Sequence, residues 1–245
     1  MVYIKRWIDY YSDLFTIEEG QQSFFESYAD QFQQPAKLLS IECGPGLLSE
    51  SFADKYDITV LDQHQEFIDI IKSRTSYNAG KIHAFNLHPQ DFSRYLAKNF
   101  FNLVYCLNYR VIFLKERALI KKYLFDAKMA LSEGGYLILD LINFAKYDFS
   151  QTKIDLPEKS CDRGTLYSSL VKNSDGLSYR LYQNFVTSSG KMIEEVKDEA
   201  VCPVSLETFK IAAEEMKFSS VEFYSDYNKT PYFKDSEKII CVLKK

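Results

Sequence analysis

The feature that most constrains the fold is a buried strand that runs directly into a glycine turn, followed by a helix, a second strand and an acid. Residues 38–46 read LLSIECGPG, and residues 58–62 read ITVLD. An apolar strand of this kind is typical of a parallel sheet covered on both faces. Gly44 and Gly46 lack a Cβ, so the backbone of this turn can approach a ligand closely. Residues 47–55 are expected to form a helix whose first N–H groups point at the same place.

This segment admits three interpretations. The simplest is a turn that joins strand and helix in any α/β protein, because a GxG turn alone is weak evidence of a ligand. The second is a nicotinamide dinucleotide site, which wants a third glycine three residues after Gly46, where Ser49 stands. The third is a site for the nucleoside end of S-adenosylmethionine, which has no pyrophosphate to hold. We favour the third, because two glycines suffice for it and Asp62 lies where an open α/β sheet places a ribose-binding acid.

Strands and helices alternate along most of the first 150 residues. The predicted elements are helices at 66–74 and 117–131, turn residues at 132–135, and strands at 81–86, 100–107 and 136–143. An aromatic-rich segment over residues 8–32 precedes the first strand and is expected to be helical, ending before Pro35. This alternation predicts a doubly wound parallel sheet.

From residue 165 to residue 201 the pattern changes to three extended runs separated by the short turns NSDG and SSG. Such runs predict an antiparallel meander. In the second run, alternation puts Gln183 on one face and Arg180 and Tyr182 on the other, and we expect one face to pack and the other to line a cleft. Ser205 is expected to cap a helix that continues to Phe218, and residues 220–227 and 238–244 predict two last strands.

Composition and charge narrow the function classes. A net charge of −4 over 245 residues offers no field that would attract nucleic acid. Five separated cysteines indicate a reduced, cytoplasmic protein. The chain has neither an apolar leader nor eighteen consecutive apolar residues, so we expect no membrane partner. Its three histidines lack the spacing of a metal site, and no GxSxG nucleophile motif is present.

The order of these elements resembles that of the class I S-adenosylmethionine-dependent methyltransferases, and three motifs strengthen the resemblance. LSEGGYLILDL at 131–141 is similar to the family's LxPGGxxxxD segment, and FNLVYCL at 101–107 is similar to its fourth strand. The tail from residue 219 onward resembles its final hairpin. The likeness is closest to the small-molecule branch with an antiparallel insertion, which includes sugar amine and glycine-type N-methyltransferases.

The resemblance implies an α/β fold: a Rossmann-like sheet of about seven strands with the last antiparallel, N-terminal helices and an inserted β-meander. It implies a helical lid at 1–34, a core formed by 35–150 and 204–245, and an insertion at 151–203. The implied activity is methyl transfer from S-adenosylmethionine to a small molecule by alignment of donor and acceptor, with neither metal nor covalent nucleophile. A homodimer through the insertion is left open.

The resemblance also assigns cofactor-binding residues. Gly44 and Gly46 would approach the methionine and ribose portion of the cofactor, and Asp62 would hold the ribose hydroxyls. The residues expected to lie around the adenine are Gln63 and His64 after Asp62, with Asn86 and Leu87 after the third strand. Cys106 and Leu107 would end the fourth strand beside the methyl group.

For the acceptor side, the resemblance points to side chains around the ends of the fourth and fifth strands. Tyr11 would cover the cofactor, and Tyr109 and Arg110 would follow the fourth strand. We regard Arg110 as the best single candidate, because a charged residue beside an apolar strand end should face water or a ligand. The further candidates are Asn143, Arg180 and Tyr182. Glu194 and Glu195 are interpreted as solubilising residues on a partly exposed strand.

Two departures from the family pattern concern the first half of the glycine turn. Ser40 stands where the family usually has an acid, and Glu42 stands where it has its first glycine. Glu42 must therefore point aside or occupy space that the cofactor needs. Its carboxylate can also replace part of the missing negative charge. Asn86 and Asn102 also stand where the family often has Asp. An alternative function follows from these four departures together: a catalytically degenerate methyltransferase fold that acts as a binding or regulatory subunit.

Overall fold

The computed structural model describes residues 10–75, 82–176 and 178–245. Its strands are β1 (Lys37–Ile41), β2 (Asp57–Asp62), β3 (Ile82–Asn86), β4 (Phe101–Cys106), β5 (Leu131–Ile142), β6 (Lys153–Asp155), β7 (Lys159–Cys161), β8 (Gly164–Lys172), β9 (Tyr179–Thr187), β10 (Met192–Val201), β11 (Ser220–Tyr224) and β12 (Lys238–Lys244). Its longer helices are α1 (Gln21–Ala29), α2 (Leu47–Ser51), α3 (Gln65–Thr75), α4 (Arg117–Ala130) and α5 (Leu206–Glu215).

Seven strands form the main sheet in the order β11-β12-β5-β4-β1-β2-β3. β12 runs antiparallel to both of its neighbours, whereas β1 to β5 are parallel to one another. The doubly wound sheet with an antiparallel last strand is thus confirmed. The strand order reverses between β1 and β4, and an open α/β sheet binds its ligand beyond the carboxyl ends at such a point.

Both faces of this sheet are covered by apolar side chains. On one face, α1 and α2 bring Phe24, Phe25 and Phe52 against the strands. On the other, α4 and α5 pack against β4 and β5 through residues such as Leu124 and Phe209. This two-sided burial explains the nearly continuous apolar strands. None of the helices among the described residues is long and apolar enough to cross a membrane.

The predicted meander forms a second, antiparallel sheet in the order β10-β9-β8-β6, with β7 also paired to β8. β6 and β7 were not predicted, because three residues are too few to show the alternation of apolar and polar side chains that indicates a strand. On β9, Tyr179, Leu181 and Phe185 are buried. The insertion therefore carries an apolar face that packs over the carboxyl end of the main sheet.

The structure corrects three predicted boundaries. The helix predicted over 8–32 is interrupted: residues 10–14 are helical and α1 begins only after Gly20, whose φ of 73° does not fit a helix interior. Residues 8 and 9 of that prediction, and residue 81 of the predicted third strand, lie outside the described residues. The helix predicted over 47–55 ends at Ser51, because the backbone then tightens into turns in which N–H groups bond three residues back.

The third correction concerns the turn predicted at 132–135, since β5 begins directly at Leu131. Gly134 adopts a φ of 72° and the pairing with β4 shifts register there, so these residues form an irregular strand start. The predicted cap of α5 is confirmed, because the hydroxyl of Ser205 accepts a hydrogen bond from the Thr208 N–H at 3.1 Å.

Candidate functional site

The glycine turn after β1 is shaped by its contacts with Asp62 and Tyr11. Gly44 and Gly46 have φ values of 55° and 74°, which favour glycine. The Gly44 N–H donates to Oδ2 of Asp62 at 2.9 Å. The Tyr11 ring lies so close that a Cβ on Gly44 would be 2.9 Å from its Cε1 atom. Tyr11 therefore covers the turn, and its predicted contact with the cofactor stays a prediction.

The Asp62 side chain links the end of β2 to this turn through hydrogen bonds. Its side chain is buried; Oδ2 accepts from Gly44, and Oδ1 accepts from the His64 N–H at 2.8 Å. Burial, followed by the negative charge of Glu42, raises the pKa of Asp62. Each carboxylate oxygen retains a further lone pair, so Asp62 can still accept hydrogen bonds from a ligand's hydroxyls.

Glu42 points into the site and forms an ion pair with Arg110. Its φ is 56°, a left-handed conformation that is rare for a residue with a side chain. Oε2 accepts from Nε and Nη2 of Arg110 at 3.0 and 2.6 Å, and the Glu42 side chain is only 4% exposed. Oε1 is buried and has no hydrogen-bond partner among the described residues.

Arg110 is positioned by Asp140 at the end of β5. The buried Asp140 carboxylate accepts from the N–H groups of Asn108 and Tyr109 at 3.0 and 2.8 Å. Both donors are left-handed, with φ values of 59° and 60°. This turn leads into a 3₁₀ helix, Arg110–Phe113, in which the guanidinium lies 4.4 Å from the centre of the Phe113 ring. Asp140 is the acid of the LxPGGxxxxD-like segment at 131–141, but it was not assigned as a site residue from the sequence.

A cavity of about 440 Å³ opens at the carboxyl ends of β1, β2 and β4 and is called the main cavity below. Predicted site residues on its walls are Tyr11, Glu42, Gln63, His64, Cys106 and Arg110. Other wall residues were not predicted as site residues, among them Phe67 on α3, His88, Pro89 and Gln90 after β3, Val111 and Leu114 after β4, and Tyr123 on α4.

Two smaller cavities adjoin the main cavity. The turn cavity, of about 40 Å³, lies at the glycine turn and is lined by Ser40 and Gly46 among others. Glu42 and Tyr11 line both the turn cavity and the main cavity, so these side chains stand between the two spaces. The apolar pocket, of about 60 Å³, is lined by Tyr109, Ile112, Phe113, Ile142, Leu181 and Gln183 beneath the insertion.

Asn86 and Leu87 lie beside Asp62 without lining the main cavity. The Asn86 amide and the Leu87 N–H both donate to the backbone oxygen of Asp62, at 3.0 and 3.1 Å. They hold the ends of β2 and β3 together, and the cavity wall begins at the next residue, His88. Their predicted contact with adenine stays a prediction.

Three further candidates for the acceptor site are engaged elsewhere. Asn143 is fully buried; it donates to the carbonyls of Lys234 and Ser236 at 2.8 and 2.7 Å and accepts from Ala145 at 3.2 Å. Arg180 and Tyr182 lie on the outer face of β9 and bind Asp198 at 2.8 and 3.1 Å. The two faces of β9 do not divide as predicted, because the packed face also carries Gln183 to the cavities.

Glu195 on β10 is a site residue that sequence reasoning interpreted as solubilising. It lines the main cavity, its Oε1 is buried without a hydrogen-bond partner among the described residues, and burial raises its pKa to about 8. No sequence signal pointed to it, because the bulge between Glu194 and Val196 depends on the pairing of β10 with β9. Within the part of the chain that the structure describes, no group of three His, Cys, Asp or Glu side chains could hold a metal ion.

The fold is shared with solved structures of S-adenosylmethionine-dependent methyltransferases. One from Clostridium acetobutylicum has 17% identity and a TM-score of 0.76, with 98% of each chain covered. The CcbJ methyltransferase from Streptomyces caelestis has 10% identity and a TM-score of 0.76, covering 96% of this chain and 94% of its own. CalS10 from Micromonospora echinaspora, an amino pentose methyltransferase solved with S-adenosylmethionine bound, has 15% identity and a TM-score of 0.66, covering 100% and 97%.

No family model and no curated protein matches the chain. The similarity to these structures extends over nearly the whole chain, including the N-terminal segment and the insertion. The chain therefore has the class I methyltransferase fold with its antiparallel insertion, as the resemblance implied.

Proposed function

We propose that the protein is an S-adenosylmethionine-dependent methyltransferase that acts on a small molecule. The observation that carries the proposal is the hydrogen bond between the Gly44 N–H and Asp62, which joins the glycine turn to the acid at the point where the strand order reverses. In this fold that arrangement suits the ribose of a nucleoside cofactor. A large cavity with a wall of predicted cofactor residues lies beside it.

The charges of the site suit this cofactor. S-adenosylmethionine supplies a methyl group on a positively charged sulfur and also carries an ammonium group. The unpartnered Oε1 atom of Glu42 is a buried acceptor in the wall between the main cavity and the turn cavity. A carboxylate there attracts a cation more strongly than it would in water. Glu42 would thus supply the negative charge that the family usually has at the position of Ser40.

The remaining roles follow from position. Asp62 would accept the ribose hydroxyls while it holds the glycine turn in place. Gln63 and His64, on the wall of the main cavity, would flank the adenine. Tyr11 would exclude water from the space above Gly44. Cys106 would contact the cofactor through an apolar surface, because burial raises the pKa of its thiol.

The acceptor would lie under the insertion, in the part of the main cavity that adjoins the apolar pocket, where Gln183 lines both spaces and Tyr109 lines the pocket. Methyl transfer from sulfur needs an aligned acceptor rather than a covalent nucleophile, so these residues would orient the acceptor atom. The amino pentose methyltransferase and a sugar N-methyltransferase from Streptoalloteichus have the same fold, which favours a small-molecule acceptor for this chain. A cytoplasmic location, the absence of a nucleic-acid partner and a homodimer through the insertion stay predictions.

The degenerate alternative is tested by the same experiment as the main proposal. Glu42 and Tyr11 stand between two cavities that the cofactor would bridge, and Arg110 is ion-paired with Glu42. Calorimetric titration of wild type and E42G with S-adenosylmethionine and S-adenosylhomocysteine distinguishes the two functions. Binding to wild type at micromolar ligand supports the enzyme. No binding at millimolar ligand overturns it, and binding by E42G alone indicates a degenerate site.

A further inference from the structure

Strand β10 departs from regular pairing where it passes the main cavity. Its register against β9 shifts between Glu194 and Val196 and again between Val196 and Glu199. Asp198, within the second irregularity, has a φ of 59°. Bulges of this kind turn side chains away from strict alternation and are common beside active sites. Four residues of this segment, Glu195, Val196, Lys197 and Glu199, consequently reach the wall of the main cavity.

The Glu195 side chain enters the cavity without a partner. The preceding inward residue, Ile193, is buried opposite Phe185 on β9, so this face of the strand is the packed one. Glu195 lies within the first irregularity of the strand, lines the main cavity and is half-buried, and its Oε1 atom has no hydrogen bond among the described residues. A buried acceptor that is left unmatched costs stability, which indicates that a ligand completes it.

The cations on the same wall are paired with other acids. Arg110 binds Glu42 at 2.6 Å, and Lys115 binds Glu199 at 2.9 Å. Nζ of Lys197 lies 3.7 Å from the exposed carboxylate of Glu194. Each of these cations is therefore closest to an acid other than Glu195. No salt bridge to Glu195 is formed within the described part of the chain.

Two imidazoles also face the cavity, and both have other contacts. His88 accepts a hydrogen bond at Nδ1 from the Gln90 N–H at 3.2 Å. The His64 ring packs edge-on against Phe67, with ring centres 6.0 Å apart. Two carboxyl groups of this wall, those of Glu42 and Glu195, each keep a buried oxygen without a donor among the described residues. Glu42 is paired with Arg110 through its other oxygen, whereas Glu195 has no cation partner among the described residues.

We propose that Glu195 binds a protonated amino group of the methyl acceptor, so that the acceptor is an amine-bearing small molecule. This assignment rests on the proposed function, because it places the acceptor beside the cofactor in the main cavity. The adenine of the cofactor also carries an amino group. That group is neutral, however, and a cation makes the stronger hydrogen bond to a carboxylate. Glu195 also belongs to the insertion, whereas the predicted cofactor residues belong to the core and the N-terminal segment.

Proton release gives the assignment a second readout. Because burial raises the pKa of Glu195 to about 8, its carboxyl group retains a proton near neutral pH when no cation is present. Binding of an ammonium group favours the ionised carboxylate and releases that proton. Calorimetry in two buffers of different ionisation enthalpy measures this release.

The test begins with S-adenosylhomocysteine and three proteins: wild type, E195Q and the neighbouring control E194Q. We expect equal affinities, since Glu195 does not contact the cofactor. Failure of all three proteins to bind contradicts the proposed function. A loss of about tenfold or more confined to E195Q shows that Glu195 binds the adenine amino group, which overturns the acceptor assignment.

The second stage titrates the S-adenosylhomocysteine complexes with glucosamine and with glucose, its neutral match. We expect wild type and E194Q to bind glucosamine at least about tenfold more tightly than glucose, with release of a proton. We expect E195Q to lose both the preference and the proton release. Equal binding of the two sugars, no binding of either, or a preference retained in E195Q would each overturn the assignment. Thermal melting of E195Q verifies that the variant is folded.

Discussion

Arg110 donates two hydrogen bonds to a single carboxylate oxygen of Glu42, at 3.0 and 2.6 Å. This ion pair joins the end of β1 to the turn after β4, across the point where the strand order reverses. It leaves the second Glu42 oxygen buried and free to accept from a ligand. The site therefore combines a fixed negative charge with a cation that stabilises it when no ligand is present.

Replacing Glu42 with Gln is expected to weaken S-adenosylmethionine binding more than S-adenosylhomocysteine binding. The substitution removes a charge while it conserves size, and only the first ligand carries a positively charged sulfur. We expect the loss of this buried charge to cost about 1–2 kcal/mol, or roughly tenfold in affinity. Calorimetry of both ligands with both proteins measures the ratio. Equal weakening of the two ligands would show that Glu42 does not face the sulfur.

The same ion pair predicts strong coupling in stability. Replacing Arg110 with Met leaves the Glu42 charge buried without its cation, which costs about 3 kcal/mol of unfolding free energy. The double variant E42Q/R110M removes both charges and should regain most of that loss. Urea denaturation of wild type, E42Q, R110M and the double variant provides a double-mutant cycle that measures the coupling energy. Additive effects would mean that the pair is not formed in solution.

Replacing Asp140 with Asn is expected to destabilise the turn that positions Arg110. The carboxylate accepts hydrogen bonds from the N–H groups of Asn108 and Tyr109, two residues with left-handed backbone conformations. In D140N the side-chain NH₂ group would face one of these N–H groups, and it cannot accept a hydrogen bond. We expect a loss of about 1–3 kcal/mol in urea denaturation. D155N serves as control, because Asp155 forms only an exposed pair with Lys153 and should change stability by less than about 0.5 kcal/mol. A D140N variant as stable as D155N would contradict this role.

The sequence predicted the elements whose side chains follow a clear period. The buried strand KIICVLK was predicted at residues 238–244 and is found there as β12. Gly44 and Asp62 were assigned together because strand ends in a parallel sheet meet at one edge, and the structure joins them by a hydrogen bond. Local pattern and sheet geometry suffice for such features.

Contacts between distant residues were beyond the sequence. The direction of the Glu42 side chain depends on its left-handed backbone and on Arg110, which lies 68 positions away. The role of Asp140 depends on the strained turn at Asn108 and Tyr109, which no local pattern predicts. Glu195 was misinterpreted because a charged residue on a strand is usually solvated. Here Glu195 lies at a bulge and lines the main cavity.

The pH dependence of stability should identify Glu195 separately from the other buried acids. Its pKa is raised from 4.5 to about 8 by burial, so the folded state holds a proton that the unfolded chain has already lost between these values. The contribution of Glu195 therefore lowers the stability of wild type as pH rises from about 4.5 to about 8. Asp62 and Asp140 act in the same direction, but they are present in every variant.

E195Q lacks this titration and should become more stable than wild type as pH rises. After allowance for the partial exposure of Glu195, we expect a difference of about 1–2 kcal/mol above pH 8 and little difference near pH 5. Urea denaturation at a series of pH values measures the unfolding free energy of wild type and E195Q. E194Q is the control, because Glu194 is exposed. If the E195Q and wild-type curves remain parallel across this range, the Glu195 carboxyl group is solvated and its orientation toward the main cavity is wrong.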